Sequence, residues 1–235
     1  MLTLLAKLSN KISNCLMLIS NLRLNNTPTT LSIQAMFMST VIIQAICGLT
    51  FLWATNKLGV VIYLILRGLL TNWIHEDALS DCFDSNVKHN IKTRLNLLKI
   101  PTIGTYGTSI LTSTILLEYT LLSRINPNKL PMVCTICSSI GYFSMMYHWH
   151  TTPHAYNSKY YQPISPTLFT WLLLLLIISL IRLGFIQTIL LSLTNLSLVL
   201  VFNLWSLHKF GGHTGNTIGA VKKLSELLSL ISMTS

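Results

Sequence analysis

Long apolar runs with almost no charge restrict most strongly how this chain can fold. Of its 235 residues, 51% are hydrophobic and only 9% are charged, whereas a soluble domain usually carries about 25% charged residues. Lipid admits only helices or closed barrels as spanning structures, and these runs lack the alternation of a barrel strand. The sequence therefore predicts an all-α integral membrane protein.

Six runs are candidates for transmembrane helices, since about 20 residues are needed to cross the hydrocarbon layer. They are residues 31–53, 58–74, 103–122, 130–149, 165–181 and 183–205. The second run is short and contains Arg67. A last apolar helix, over residues 217–233, is expected at the membrane interface or partly inserted. We interpret residues 1–235 as a single polytopic domain with about six transmembrane helices.

The basic residues predict the orientation, because cytoplasmic loops of membrane proteins are enriched in Lys and Arg. With the N-terminus inside, eleven of them fall on the cytoplasmic side and four on the other. The cytoplasmic set is Lys7, Lys11, Arg23, Lys88, Lys92, Arg94, Lys99, Lys159, Lys209, Lys222 and Lys223. The opposite set is Lys57, Arg124, Lys129 and Arg182. The net charge of +10 is thus spread along the loops, which argues against a nucleic-acid partner.

Four of the six carboxylates fall between residues 76 and 84. They are Glu76, Asp77, Asp81 and Asp84, whereas Glu118 and Glu226 are isolated in the sequence. Acidic groups this close repel one another unless a cation lies among them. In a helix the three aspartates lie within about 60° on one face, and such oxygen ligands suit Mg2+. The alternative is a solvated acidic loop between two membrane helices.

A glycine-rich stretch over residues 210–220 opens onto the last helix. Backbone N–H groups at the start of a helix commonly bind phosphate. The candidate phosphate-binding residues are Gly212, Thr214, Gly215 and Asn216. The alternative is a tight turn in which Asn216 or Thr217 caps the helix. Residues 104–107 likewise form either a phosphate-binding stretch or a tight turn at the start of a helix.

Three blocks of this sequence resemble the motifs of the cobalamin synthase family, the adenosylcobinamide-GDP ribazoletransferases. Residues 75–84 resemble the family's H-x-D-G-L-A-D-x-x-D-G motif. Lys99 with the following Ile-Gly-Thr-Tyr-Gly of residues 103–107 resembles its next block. Residues 211–220 resemble its C-terminal G-G-x-T-G-D-x-x-G-A motif. The blocks follow the family's order at comparable separation.

The resemblance implies a membrane enzyme that uses Mg2+ and completes a corrinoid. Family members transfer the cobinamide phosphate from adenosylcobinamide-GDP to α-ribazole or its 5′-phosphate and release GMP. The expected partners are these substrates and the lipid bilayer, and a homo-oligomer is left open. We expect a bacterial inner-membrane protein with cytoplasmic catalytic loops.

The resemblance also implies a set of site residues. The expected catalytic residues are His75, Asp77, Asp81 and Asp84, and the three aspartates are the expected Mg2+ ligands. His75 is the candidate to position or deprotonate the ribazole hydroxyl. The expected substrate-binding residues are Lys99, Gly104, Tyr106, Gly212, Thr214, Gly215 and Asn216.

The chain departs from the family pattern at residues that bear on activity. Asn216 stands where the family has Asp, which removes one negative charge, and Ala78 and Ser85 stand where the family has glycine. Glu76 replaces a commonly apolar residue. Either Glu76 compensates for the charge missing at Asn216, or the chain is a copy with reduced activity.

Two side-chain patterns outside these motifs also suggest interactions. His148, His150 and His154 have the spacing of metal ligands, but their aromatic flanks favour an interfacial loop over a Zn2+ site. Arg67, inside an apolar run, is expected to pair with the acidic cluster or a substrate phosphate. The alternative is an Arg67 side chain that extends to the interface.

Two other classes of protein remain as alternatives. A CDP-alcohol phosphotransferase also places aspartates at the membrane surface, but its D-G-x2-A-R opening is absent from this sequence. A membrane cation transporter is expected to carry its ionisable groups at mid-membrane, whereas the aspartates here are predicted at one surface.

Overall fold

The computed structural model describes residues 48, 50–53, 57–156, 181 and 183–234. They form helices α1 (Thr50–Trp53), α2 (Lys57–Thr71), α3 (Ile74–Asn86), α4 (Ile91–Leu97), α5 (Thr105–Leu122), α6 (Leu130–Thr151), α7 (Phe185–Phe210) and α8 (Gly215–Thr234), with a 3-10 turn over Pro127–Lys129. The described residues contain no strand, only an isolated bridge between His154 and His213. The predicted all-helical character is confirmed for this part of the chain.

Two described helices are long and apolar enough to cross a membrane: α6 together with its preceding turn, and α7. The pair α2 and α3 qualifies as a third span only when taken together, because the two are bent by 83°. Helix α5, which covers the predicted span 103–122, is not among them. The predicted spans 31–53 and 165–181 lie largely outside the described residues.

The bend between α2 and α3 separates the second apolar run from the acidic stretch. Asn72 and Trp73 both take left-handed backbone conformations, with φ of 51° and 55°, which are uncommon for residues other than glycine. The Trp73 ring packs on Gly68, where any Cβ would overlap it. The predicted span 58–74 therefore ends at Thr71. The acidic stretch that follows is a helix of its own, so the alternative of an acidic loop is wrong.

The last helix, α8, lies inside the bundle and packs against α3, α6 and α7. Close approach is possible because Gly219 faces Ala78 on α3 and Gly141 of α6 faces the α8 backbone at Lys222. This helix is a core element of the described bundle rather than a surface helix, since Lys223 is fully buried. Its position relative to the membrane stays a prediction. The predicted orientation counted Lys222 and Lys223 among the charges of cytoplasmic loops, but both lie within α8 and are buried.

A closed ring of four buried charges joins α2, α3, α5 and α8. The Arg67 guanidinium donates to both carboxylate oxygens of Glu118, at 2.7 and 2.9 Å, and to Glu76 Oε1 at 2.9 Å. Lys223 Nζ donates to Glu76 Oε1 and Glu118 Oε2, both at 2.8 Å. Cations and anions alternate around this ring, which we call the charge ring. Arg67 thus has the acidic partner predicted for it, together with a second one.

A second buried ion pair lies beside the charge ring within α8. Lys222 Nζ is 2.6 Å from Glu226 Oε1, and the ammonium group lies 4.9 Å from the Tyr142 ring centroid. The charge ring and this pair together contain three cations and three anions. A fourth buried cation of the described residues, Arg94 on α4, donates instead to two backbone carbonyl oxygens. Exact pairing matters, because an uncompensated buried charge is strongly destabilising.

We predict that Gly219→Ala destabilises the protein although alanine is the better helix former. A Cβ at this position would lie 2.6 Å from the Cβ of Ala78, and such overpacking lowers the free energy of unfolding by about 1–3 kcal/mol. Thermal unfolding in detergent measures the change.

Two further variants test this explanation. Adding Ala78→Gly should restore the stability of Gly219→Ala. Gly215→Ala is the matched control, since no heavy atom lies within 4 Å of a Cβ there. Wild-type stability for Gly219→Ala would contradict the described packing of α8 on α3.

Candidate active site

The three aspartates lie on the face of α3 that is turned away from the charge ring. Asp77 is exposed, and Asp81 and Asp84 are half-buried. Glu76, one residue before Asp77, points into the interior and belongs to the charge ring. The expectation that Glu76 compensates for the charge missing at Asn216 is therefore wrong, because its carboxylate is held by Arg67 and Lys223.

Asp81 binds directly to the start of α8. The Asn216 side-chain amide donates to Asp81 Oδ2 at 2.6 Å, across 135 residues of sequence. Burial and the neighbouring Asp77 carboxylate raise the pKa of Asp81 to about 6, and the hydrogen bond from Asn216 opposes that rise. Asp81 belongs to α3, which is not one of the two helices that could span a membrane by themselves. The contact brings the first and third motif blocks into one site.

Asp84 binds the start of α5 in a similar way. Its two carboxylate oxygens accept hydrogen bonds from the backbone N–H groups of Gly104 and Gly107, at 2.7 and 2.8 Å. A Cβ at either glycine would overlap the Asp84 carboxylate, so this close approach requires glycine. Asp84 thus acts as an N-cap supplied by a neighbouring helix, and it joins the first and second motif blocks.

The glycine-rich loop before α8 is held mainly by its own contacts. The Thr217 backbone N–H donates to Thr214 Oγ1 at 3.2 Å, and the Thr214 N–H donates to Thr217 Oγ1 at 2.8 Å, a reciprocal capping arrangement. The cap is therefore Thr214 rather than Asn216 or Thr217. Gly212 is buried against the Pro153 carbonyl, whereas Gly215 is exposed beside the half-buried Asn216.

The structure does not bring His75 together with the aspartates. His75 is buried and its Nε2 lies 3.2 Å from the Tyr142 hydroxyl. Residues two apart in a helix point about 200° from one another, so His75 and Asp77 face opposite sides of α3. Sequence reasoning placed them together only because they are neighbours in the motif.

The second motif block contributes two exposed side chains. The Lys99 ammonium lies 4.8 Å from the ring centroid of Tyr156, and Tyr156 in turn donates to the Leu95 carbonyl at 3.2 Å. Tyr106 is 60% exposed at the start of α5. Both Lys99 and Tyr106 are therefore accessible to a ligand.

The histidine pattern at the end of α6 serves the packing of α6 on α7 and α8 and of the loops that follow α6 and α7. The predicted interfacial loop is wrong for the two histidines that are buried within α6, His148 and His150. His148 is buried and hydrogen-bonded to Asn203 and Thr217, at 2.6 and 3.3 Å. His154 pairs with His213 in the isolated bridge, a partner that sequence spacing did not reveal.

Within the described residues, no three His, Cys, Asp or Glu side chains gather closely enough to hold a metal ion. This finding applies to the histidines considered above as a Zn2+ site. It applies equally to Asp77, Asp81 and Asp84, which the structure places on one helix face without gathering all three around a single point.

The described residues form an all-helical protein with two helices long and apolar enough to cross a membrane, and a carboxylate–amide contact where α3 meets the first residues of α8. Residues 15–234 match the model of a protein family described as cobalamin-5-phosphate synthase. The match covers most of the chain, so the chain belongs to this family, and the resemblance seen in the three motif blocks is confirmed.

Curated relatives of this chain carry the name adenosylcobinamide-GDP ribazoletransferase. The one from Allorhizobium ampelinum is 27% identical over 184 residues, covering 72% of this chain and 70% of the relative. The one from Vibrio parahaemolyticus is 27% identical over 207 residues, covering 82% and 77%. The one from Clostridium botulinum is 26% identical over 208 residues, covering 83% and 84%. No significant match was found among solved structures.

We predict different effects on stability from removing two of the aspartates. Asp84→Ala leaves the N–H groups of Gly104 and Gly107 without their acceptor, and loss of such a cap lowers the free energy of unfolding by about 1–2 kcal/mol. Asp77→Ala changes an exposed side chain, so a change within about 0.5 kcal/mol is expected. Equal effects of the two variants in detergent unfolding would contradict the capping role of Asp84.

Proposed function

We propose that this chain transfers the cobinamide phosphate of adenosylcobinamide-GDP to α-ribazole or its 5′-phosphate and releases GMP. The observation that carries the proposal is the contact between Asp81 and Asn216. It joins two distant motif blocks at one site, in a chain whose relatives carry the name of this transferase. Asp84 ties the remaining block to the same helix.

We propose Mg2+ as the cofactor, with Asp77, Asp81 and the Asn216 side-chain oxygen as its protein ligands. The donor set fits, because Mg2+ is usually bound by one or two carboxylates and completes its shell with water and substrate phosphates. The repulsion between Asp77 and Asp81 would be relieved by a cation. The proposed ligation requires the Asn216 amide to turn its oxygen toward the cation. When bound, Mg2+ neutralises charge on the phosphate oxygens.

Asp84 is the third predicted ligand, and its position supports a different primary role. Both of its oxygens already accept backbone hydrogen bonds from α5, although each keeps a lone pair for a further interaction. We therefore propose that Asp84 first fixes the start of α5 beside the aspartates. Binding of a cation by Asp84 remains an expectation.

The remaining site residues are proposed to bind and orient the substrates. Gly215 is exposed at the start of α8, where backbone N–H groups favour a phosphate. Lys99 and Tyr106 are exposed and free to approach a nucleotide or corrinoid. The burial of His75, Gly212 and Thr214 supports roles in packing and loop geometry. In the proposed reaction the ribazole hydroxyl oxygen attacks the cobinamide phosphorus and its proton passes to solvent, while GMP leaves with the bridging oxygen of the broken phosphoanhydride bond.

We further propose a bacterial inner-membrane protein with about six spans and a cytoplasmic site. Helix α7 supports this arrangement, because only 28% of its apolar span is buried and the remainder suits contact with lipid. Removing the buried Arg94, Lys222 and Lys223 from the eleven predicted cytoplasmic charges leaves eight against four. The predicted orientation therefore survives the correction.

Product formation by the purified protein in liposomes tests the proposal. Adenosylcobinamide-GDP, α-ribazole 5′-phosphate and Mg2+ are supplied, and GMP and the joined corrinoid are measured. Asp81→Ala is expected to lower the rate about 100-fold, because the variant loses a metal ligand and the Asn216 contact. Lys92→Ala, an exposed change on α4, is the control and should behave as wild type.

The outcome for the wild-type protein decides the reaction class. GMP release that requires the ribazole acceptor supports the transferase. Absence of product from a folded wild-type protein would contradict the proposal and leave the CDP-alcohol and transport alternatives open.

A further inference from the structure

The interface between α3 and α8 carries three contacts in antiparallel order. Asp81 meets Asn216 at the site. Ala78 meets Gly219 one turn deeper. Glu76 meets Lys223 in the interior. Along α8 the contacts are three and four residues apart, which is the repeat of one helix face. Along α3 they are three and two residues apart, so Glu76 leaves the helix on a different side from Ala78, and its contact is made with the long Lys223 side chain.

The contact between Glu76 and Lys223 is also bound by residues of two other helices. Arg67 on α2 binds the same Glu76 oxygen that Lys223 binds, and Glu118 on α5 binds both Arg67 and Lys223. The charge ring thus fixes Glu76 and Lys223 relative to two further helices. A sliding movement of α8 along α3 would have to break several short ionic hydrogen bonds together.

The position of the ring along both helices connects it to the site. Lys223 follows Asn216 by about two helical turns and therefore lies on nearly the same face of α8. Glu76 directly precedes Asp77 on α3. A shift of one residue at the ring would turn Asn216 about 100° away from Asp81.

We propose that Glu76 and Lys223 are positioning residues that set the register of α8 on α3 and so hold Asn216 against Asp81. This inference rests on the transferase proposed above. Stability alone explains the ring poorly, because replacing buried ion pairs by apolar groups of similar volume is often neutral or stabilising. A ring of short directional bonds does, however, specify one register of α8 on α3, a role for which buried ionic groups are retained in some proteins.

A matched pair of double variants tests the proposal. Glu76→Gln with Lys223→Met removes one anion and one cation from the ring and leaves Arg67 paired with Glu118. The control, Lys222→Met with Glu226→Gln, makes the same chemical changes in a buried pair that lies within α8 alone. Both variants conserve net charge and nearly conserve volume.

The ring variant is expected to lower kcat about 100-fold, since a misplacement of about 1 Å at a catalytic site has effects of this size. Its half-saturating Mg2+ concentration should rise about tenfold, because displaced ligands weaken metal binding by 10–100-fold. The control should remain within about threefold of wild type in both quantities, as expected of a buried pair that does not touch the site. Equal losses in the two variants, or wild-type kinetics in the ring variant, would overturn the proposal.

Two additional measurements keep the test decisive. If the ring variant fails to fold, Glu76→Asp keeps the charge and shortens the side chain by one methylene, and the same kinetic change is expected. If wild type forms no product, the transferase proposal fails and hydrogen exchange decides the positioning role. Residues 212–219 should then exchange faster in the ring variant than in the control, and equal exchange would overturn the role.

Discussion

The charge ring is the interaction on which the rest of the described structure depends. Taking an isolated charge out of water carries a penalty of several kcal/mol, so four buried charges are compatible with folding only when all are paired. The members of the ring come from four different helices and pair with one another at 2.7–2.9 Å, and of the four charged groups only Glu76 keeps an oxygen, Oε2, without a hydrogen-bond partner. Their pairing therefore fixes α2, α3, α5 and α8 relative to one another.

The glutamates and the aspartates of this chain lie in different places and have different roles. All three glutamates lie in the interior with cationic partners, and all three aspartates lie on the outer face of α3. The same short helix thus carries a structural face and a site face. Asp81 and Asp84 each bind the start of another helix, so the site is assembled from α3, α5 and α8 by contacts that depend on the ring.

Local sequence patterns predicted the helices and the aspartate face, but not the partners across the interior. The apolar runs 130–149 and 183–205 correspond to α6 and α7, and the spacing of the aspartates correctly placed them on one face. The pairing of Lys223 with Glu76 spans 147 residues, and no local pattern contains that information. Local patterns therefore assign Lys223 and Glu76 to the cytoplasmic surface, and they assign α8 to the membrane interface. His75 was grouped with the aspartates by motif proximity, which ignores the direction of side chains around a helix.

Binding of Mn2+, a spectroscopic substitute for Mg2+, tests most directly the claim that the aspartates hold the metal and the glutamates hold the fold. Electron paramagnetic resonance would count bound Mn2+ with and without adenosylcobinamide-GDP. We predict substrate-dependent binding in wild type and in Lys222→Met with Glu226→Gln, and loss of binding in Asp77→Asn with Asp81→Asn. Unchanged Mn2+ binding after removal of both aspartate charges would contradict the account.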